Sequence, residues 1–218
     1  MRKEERMDGI KRIHGMEGSG QIERKDAGIS RGFVARDLAV CGLFAALIAA
    51  GAFIKISIPV QPFPMHFTMQ WFFVLLAGYL LGPKLGCTSV CTYLAVGLVG
   101  FPVFAAGGGP AYLIRPTFGF LLGFAAAAYG IGKLCRLMHP VKVWQLMIPG
   151  TCGLVIYYLF GMIYFYIISN YVIFMPVGWK VVLINCCLLT IFPDFLLCVM
   201  AAVVAARLRP VMKMINER

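Results

Sequence analysis

Six long apolar stretches occupy most of this 218-residue chain, and they constrain its fold more than any single motif does. Hydrophobic residues make up 61% of the sequence and charged residues only 13%. Soluble domains are about 45–50% apolar and about 25% charged, so a water-soluble globule of this length could not bury so much apolar surface. The composition excludes a soluble enzyme, a disordered protein and a secreted disulfide scaffold, and it predicts an all-α, polytopic membrane protein.

These stretches predict six transmembrane helices, since a helix needs roughly 20 residues to cross a bilayer. The sixth stretch is too long for one straight crossing, and Pro193 is expected to interrupt it. A very short connection at Gly82–Lys84 makes the second and third helices a hairpin. The predicted spans cover about Leu38–Ile54, His66–Gly82, Leu85–Ala105, Pro116–Leu134, Gln145–Ser169 and Trp179–Ala206.

The distribution of basic residues predicts how the helices are oriented. With both termini in the cytoplasm, 17 Lys and Arg face inward and 3 face outward, and such an excess is typical of cytoplasmic loops. This asymmetry, rather than nucleic-acid binding, accounts for the net charge of +11. Residues 1–37 are expected to form a flexible cytoplasmic tail, residues 38–212 the membrane domain, and residues 213–218 a short cytoplasmic end.

The sequence offers little to a catalytic interpretation. It has no G-x-x-x-x-G-K-[ST] motif, so ATP hydrolysis is not expected. The eight cysteines include no C-x-x-C pair and no spacing typical of zinc ligands, and the three histidines are scattered along the chain. We therefore expect neither a metal, nor a cofactor, nor an enzymatic activity.

A few polar residues at membrane depth are the candidate ligand contacts, because such groups are costly in hydrocarbon. Gln70, Tyr93, Arg115, Asn185 and Asp194 all fall in the outer half of the predicted bundle or near its middle, which predicts a pocket that opens outward. Gln70 could instead bond a neighbouring helix, Tyr93 could simply pack, and Arg115 could anchor the interface. Asp194 is the hardest to dismiss, since it is the only acid between Leu38 and Ala206.

Two groups of small residues lead to further predictions, one about the ligand site and one about a docking surface. The glycines Gly107 and Gly108 lie in the connection between the third and fourth predicted spans, which is expected on the outer side. There they either form an ordinary turn or let the backbone approach a ligand closely. Small residues also recur every four positions on the first helix, a pattern that serves either internal packing or docking of another membrane protein. The residues on this face are Gly42, Ala45, Ala46 and Ala49.

Four stretches of the chain together resemble one family. They are "PFPMHFTMQWFFVLLAGYLLGPKLG" (Pro62–Gly86), "YLAVGLVGFPVFAAGGG" (Tyr93–Gly109), "RPTFGFLLGF" (Arg115–Phe124) and "FPDFLLCVMAAVVAARLRPV" (Phe192–Val211). On these motifs the chain resembles the BioY family, the biotin-binding S components of energy-coupling factor transporters. That resemblance implies six helices with both ends inside, as the distribution of charge predicts independently.

The resemblance also implies a partner set and a ligand. An S component captures its vitamin from outside and docks on a transmembrane coupling protein, which two cytoplasmic ATPase subunits drive. In the matching motifs Gln70, Tyr93 and Asp194 fall at positions that look like pocket positions, and the small-residue face of the first helix matches the docking face. An acid and an amide suit the ureido ring of biotin, while Arg115 or the glycine loop suits its carboxylate.

One departure from the family pattern leaves the ligand open. Where the family usually has a lysine three residues after the aspartate, this chain has Leu197, and Phe120 stands where tyrosine is common. The ligand could therefore be a related acid, such as dethiobiotin or lipoate. Two further classes of protein fit the sequence less well, an integral membrane lipid enzyme and a purely structural assembly subunit.

Overall fold

The computed structural model of the protein describes residues 35–59, 65–140, 142–188 and 190–216, with side chains up to residue 209 except those of residues 58 and 185. The chain divides into two units, Met1–Leu38 and Ala39–Arg218, and the fold described here is that of the second. The predicted tail, residues 1–37, lies almost entirely outside the described residues.

The described chain is mostly helical, as its composition predicts. The helices are α1 (Ala35–Phe53), α2 (Gln70–Val99), α3 (Phe118–Met138), α4 (Val143–Ile167), α5 (Trp179–Leu183) and α6 (Ile191–Asn216). A 3-10 helix at Pro110–Ile114 precedes α3, and π-helical turns at Ile168–Val172 and Ile184–Leu188 follow α4 and α5.

Two short strands lie where the sequence predicts the connection between the first two spans and the start of the second span. Strands β1 (Lys55–Ile58) and β2 (Met65–Thr68) pair antiparallel, with Ser57 opposite His66. The sequence "KISI" alternates polar and β-branched residues, a pattern that suits a strand. The all-α expectation omitted this pair, and the second helix begins at Gln70 rather than at His66.

Helix α2 is folded back on itself at Gly82. This glycine has φ 79° and ψ −173°, a backbone conformation that favours glycine, and Pro83 follows it. A Cβ built on Gly86 would lie 3.0 Å from the carbonyl oxygen of Ala77, so the arms 70–81 and 83–99 pack closely against each other. The turn falls where the sequence predicts a hairpin between the second and third helices.

Five helical stretches among the described residues are long and apolar enough to cross a membrane when the folded α2 is counted once. One face of α4 carries exposed apolar side chains at every fourth position, which is the surface expected of a helix in contact with lipid. These side chains belong to Val155, Leu159, Ile163 and Ile167.

The bundle is built around α3, which packs between α2 and α4, while α6 packs against both α2 and α4. Close approach at the turn of α2 depends on Gly132 of α3. A Cβ at Gly132 would lie 2.4 Å from the carbonyl carbon of Gly82, so only a glycine lets the two backbones meet there. This contact fixes the position of α3 along the axis of the folded helix α2.

The last apolar stretch is interrupted before Pro193, not at it. The chain leaves α5 through the π-helical turn Ile184–Leu188 and starts again as α6 at Ile191. Pro193 therefore lies in the first turn of α6, where its missing N–H costs nothing because that group has no intrahelical partner. The expectation that Pro193 itself breaks the helix is wrong, and the interruption instead leaves Asp194 in the first turn of a new helix.

Candidate functional site

A cavity of about 610 Å³, including its open mouth, lies between the β-strand pair and helices α2, α3, α4 and α6. Two of the polar residues singled out in the sequence, Gln70 and Asp194, line this cavity together. Each is only 2% exposed. Buried polar groups that face an empty space are typical of a ligand site, because the ligand supplies the remaining hydrogen bonds.

Asp194 is held by a network of hydroxyl groups. The phenol of Tyr158 on α4 donates a 2.6 Å hydrogen bond to Oδ2 of Asp194 and lies 2.9 Å from the hydroxyl of Thr190. Thr190 in turn donates to the carbonyl oxygen of Cys186. The first turn of α6 also favours a carboxylate, since the helix dipole is positive there. The carboxylate is thus fixed in orientation before any ligand arrives.

Gln70 is fixed from two sides. Its Oε1 accepts a 3.2 Å hydrogen bond from the hydroxyl of Thr68, and its Nε2 donates a 2.6 Å hydrogen bond to the phenol of Tyr93. Tyr93 donates to the carbonyl oxygen of Val103 at 3.3 Å and packs edge-on against Phe104. Tyr93 therefore lies behind Gln70, outside the cavity lining, and holds the amide through this hydrogen bond.

Stacked aromatic rings form the apolar wall of the cavity. The rings of Trp71 and Tyr157 stack at 4.8 Å between centroids, and those of Tyr157 and Phe124 stack at 5.1 Å. Phe120 completes the wall, and the indole N–H of Trp71 is directed to the Sγ atom of Cys198 at 3.4 Å. Sequence reasoning missed Trp71, Phe124 and Tyr157, since aromatic residues on apolar helices give no signal that separates a ligand wall from ordinary packing.

Arg115 lies at the mouth rather than in the cavity. It is exposed, stands 5.2 Å above the ring of Tyr112, and lines a groove next to the cavity. His66 and Thr117 line both the groove and the cavity, so the two spaces adjoin at these residues. Burial, with the positive charges of Lys55 and Arg115, lowers the pKa of His66 from its ordinary 6.5.

Gly107 and Gly108 shape a turn and do not line the cavity. Gly107 has φ 117° and exchanges two backbone hydrogen bonds with Phe104. A Cβ on Gly108 would lie 2.1 Å from the carbonyl oxygen of Phe101, so the turn requires a glycine at this position. The turn holds Phe104 buried against Tyr93, so two residues, Phe104 and Tyr93, separate Gly107 from Gln70.

Two further positions singled out in the sequence add no described group to the cavity. The side chain of Asn185 lies outside the described part of the structure. Leu197 is 5% exposed and belongs to the apolar core. Within the part of the chain that the structure describes, no group of three or more His, Cys, Asp or Glu could hold a metal ion.

The small-residue face of α1 lines a separate groove. This groove has a volume of about 980 Å³, includes its opening, and runs between α1 and the second arm of α2, where Thr92, Tyr93 and Val96 contribute. Its walls are almost entirely apolar side chains. Small side chains on α1 leave the groove open, because they project little beyond the helix backbone. The four residues expected to form a docking face, Gly42, Ala45, Ala46 and Ala49, all line it.

Comparison with known proteins places this architecture in a family. The family model described as "BioY family" matches residues 22–214. The chain belongs to the BioY family. It is 41% identical over 177 residues to the "Probable biotin transporter BioY" of Lysinibacillus sphaericus, an alignment that covers 81% of this chain and 88% of the relative. It is also 35% identical over 178 residues to the probable biotin transporter BioY of Pyrococcus horikoshii, covering 80% of this chain and 97% of the relative.

A solved structure agrees with the BioY assignment at the level of the fold. The crystal structure of the S-component for biotin from an ECF-type ABC transporter superposes with a TM-score of 0.70, covering 84% of this chain and 95% of that one at 24% identity. This BioY chain is accordingly a multi-pass membrane protein of the S-component fold. The matched relatives are named as transporters, which agrees, at the level of the family, with the expectation that the chain is not an enzyme.

Proposed function

We propose that this protein captures biotin from the outer side of the cell membrane for an energy-coupling factor transporter. The observation that carries this proposal is the convergence of Asp194 and Gln70, both almost fully buried, on one cavity with a stacked aromatic wall. The ureido ring of biotin has two N–H donors and a carbonyl acceptor. A carboxylate accepts the donors and an amide N–H satisfies the carbonyl, so both groups are used.

The aromatic wall supports the same ligand. The sulfur-containing ring and aliphatic chain of biotin are apolar, and the stacked rings of Trp71, Phe124 and Tyr157 offer a rigid apolar surface for them. The names of the relatives point to the same vitamin. Leu197 leaves the ligand-binding helix without the lysine that is usual at this position, so dethiobiotin and lipoate are the competing ligands to be tested.

The bundle is proposed to cross the membrane six times, with both termini in the cytoplasm. The arms 70–81 and 83–99 of α2 are the second and third crossings, and the first arm, about 18 Å long, begins directly after strand β2. The excess of basic residues on one side supports this orientation. A reporter enzyme that is active only in the cytoplasm, fused after Arg218, is expected to be active.

The groove on α1 is proposed to receive a helix of the transmembrane coupling protein. Small side chains let a second helix approach closely in lipid, where association depends on packing. Two cytoplasmic ATPase subunits would drive that partner, since this chain has no nucleotide-binding motif of its own.

Equilibrium binding of labelled biotin to the purified chain tests the ligand. We expect saturable binding, and its absence below about 10 μM would reject the proposal. Asp194→Asn is expected to weaken binding by about 1.5–3 kcal/mol, the value of a hydrogen bond to a charged group. Asp37→Asn, which removes an acid in the first turn of α1, is the matched control. Dethiobiotin, which keeps the ureido ring, is expected to compete, whereas lipoate, which lacks it, is not.

A further inference from the structure

His66 lies at the junction of two spaces that a ligand can occupy. Only His66 and Thr117 line both the cavity and the adjoining groove with Arg115, among the residues that the structure describes. A ligand whose head lies between Gln70 and Asp194 and whose tail reaches the groove passes the junction that His66 and Thr117 line.

The imidazole is held in place by strand pairing. Ser57 is the cross-strand partner of His66, and its hydroxyl lies 2.9 Å from Nδ1. When the Ser57 hydroxyl donates to Nδ1, the ring proton lies on Nε2, which makes Nε2 a hydrogen-bond donor. The β-strand pair therefore fixes the ring at the mouth of the cavity.

The charges around the cavity differ between its two ends. Asp194 is an acid, so a ligand carboxylate placed beside it would be repelled. Around His66 the environment is positive, since Lys55 and Arg115 both act on it electrostatically. Among the described residues that line the cavity, His66 is the only basic one, and Leu197 is buried in the core. A ligand with one anionic end is therefore oriented with that end toward His66.

We infer that His66 binds the carboxylate end of the ligand and makes the protein select a charged tail over a neutral one. The inference rests on the proposed function. It assigns recognition of the carboxylate to His66, with Lys55 and Arg115 contributing a positive electrostatic field. Among the described residues, the cavity lining contains no lysine or arginine that could bind the carboxylate instead.

The test compares biotin with biotinamide, whose tail is neutral, in equilibrium binding to the purified full chain. The wild-type protein is expected to prefer biotin, and His66→Gln to reduce the biotin-over-biotinamide affinity ratio by about tenfold through weaker binding of biotin alone. His66→Lys, which restores a cation, is expected to retain most of the preference. His139→Asn, at the exposed C-terminal end of α3, is the matched control and is expected to leave the ratio unchanged.

The possible outcomes distinguish a failure of the inference about His66 from a failure of the proposed function. If neither ligand binds the wild-type chain, the proposed function fails. If both ligands bind and the affinity ratio is the same in wild type and His66→Gln, the proposed function stands and the role of His66 is overturned. An equal weakening of both ligands in His66→Gln also overturns it, because that result would reflect a change in the shape of the mouth rather than carboxylate recognition.

Discussion

The side-chain amide of Gln70 donates a 2.6 Å hydrogen bond to the phenol of Tyr93, and this bond links the lining of the cavity to the lining of the groove on α1. Gln70 lines the ligand cavity, whereas Tyr93 lines the groove on α1. The two residues lie on opposite arms of the folded helix α2, 23 positions apart. The turn at Gly82 is what brings them together, so the fold of α2 positions the amide that lines the cavity.

Tyr93→Phe is expected to weaken ligand binding although Tyr93 does not line the cavity. Without the phenol, Nε2 of Gln70 loses its acceptor and the amide can rotate away from the ligand. A neutral hydrogen bond contributes about 0.5–1.5 kcal/mol, so the dissociation constant should rise about fivefold. Binding of labelled biotin measures the change, and Tyr129→Phe, an exposed tyrosine on α3, is the control. An unchanged dissociation constant in Tyr93→Phe would show that Gln70 is held without it.

Tyr158→Phe is expected to act through Asp194. The substitution removes the 2.6 Å hydrogen bond to Oδ2, and loss of a hydrogen bond to a charged group weakens ligand binding by about 1.5–3 kcal/mol. In an Asp194→Asn background the same substitution should have a much smaller effect, since the two side chains act as one unit. Tyr164→Phe removes a comparable hydrogen bond, to the carbonyl oxygen of Leu113, and serves as the control. Additive effects of Tyr158→Phe and Asp194→Asn would contradict the coupling.

The long helices of this protein can be predicted from the sequence because each is a long apolar run, and the turn at Gly82 can be predicted because glycine and proline adjoin there. The β-strand pair cannot be predicted in the same way. Its two strands are four residues long, and what stabilises them is pairing between segments on either side of a proline-containing connection. Such non-local pairing leaves only a weak local pattern, so the sequence around Pro59 predicts no more than a loop.

The candidate site can be predicted only where polar chemistry stands out from an apolar background. Asp194 and Gln70 are conspicuous on apolar helices, and both line the cavity. Of the other residues that the sequence predicts as ligand contacts, Tyr93 bonds to Gln70 from behind and Gly107 bonds to Phe104, and neither lines the cavity. Which residues of a helix or turn line a cavity depends on the direction in which they face and not on sequence position alone. His66 gives no signal as a cavity residue, because its place follows from the unpredicted strand β2.

Gly108→Ala is expected to destabilise the fold. The new methyl group would lie 2.1 Å from the carbonyl oxygen of Phe101, and backbone atoms cannot move aside without a large cost in free energy. A shift in the thermal unfolding midpoint of several degrees, from a loss of about 1–3 kcal/mol, should be measurable in detergent. Gly178→Ala is the control, because a Cβ there meets nothing within 4 Å and the backbone has φ −74°. Equal midpoints for the two variants would contradict the geometry of the turn.

Ala46→Trp is expected to block uptake without affecting binding. Ala46 is exposed in the groove on α1, and an indole there would fill the space proposed for the coupling protein. Leu43→Trp is the matched control, since Leu43 is exposed on the same helix but does not line the groove. Uptake of labelled biotin by cells that contain the whole transporter should fall only in Ala46→Trp, while the purified variants bind equally. Normal uptake by Ala46→Trp would exclude this groove as the docking surface.

The preference for biotin over biotinamide is expected to increase as the pH falls from about 8 to about 5.5. Burial and the charges of Lys55 and Arg115 lower the pKa of His66 below 6.5, so the imidazole of the ligand-free protein is neutral at pH 8. A carboxylate beside the ring favours the imidazolium and raises that pKa, so binding takes up a proton and becomes tighter as the proton concentration rises.

Dissociation constants for both ligands across this range measure the effect. The ligand carboxyl stays ionised throughout, since an aliphatic carboxyl group has a pKa of about 4.3. Asp194 also lines the cavity, but it is retained in His66→Gln, so the difference in pH dependence between the two proteins isolates the contribution of His66. Between pH 8 and 5.5 the ratio should rise about tenfold more in the wild-type protein than in His66→Gln. The same pH dependence in both proteins would assign the titration to a group other than His66.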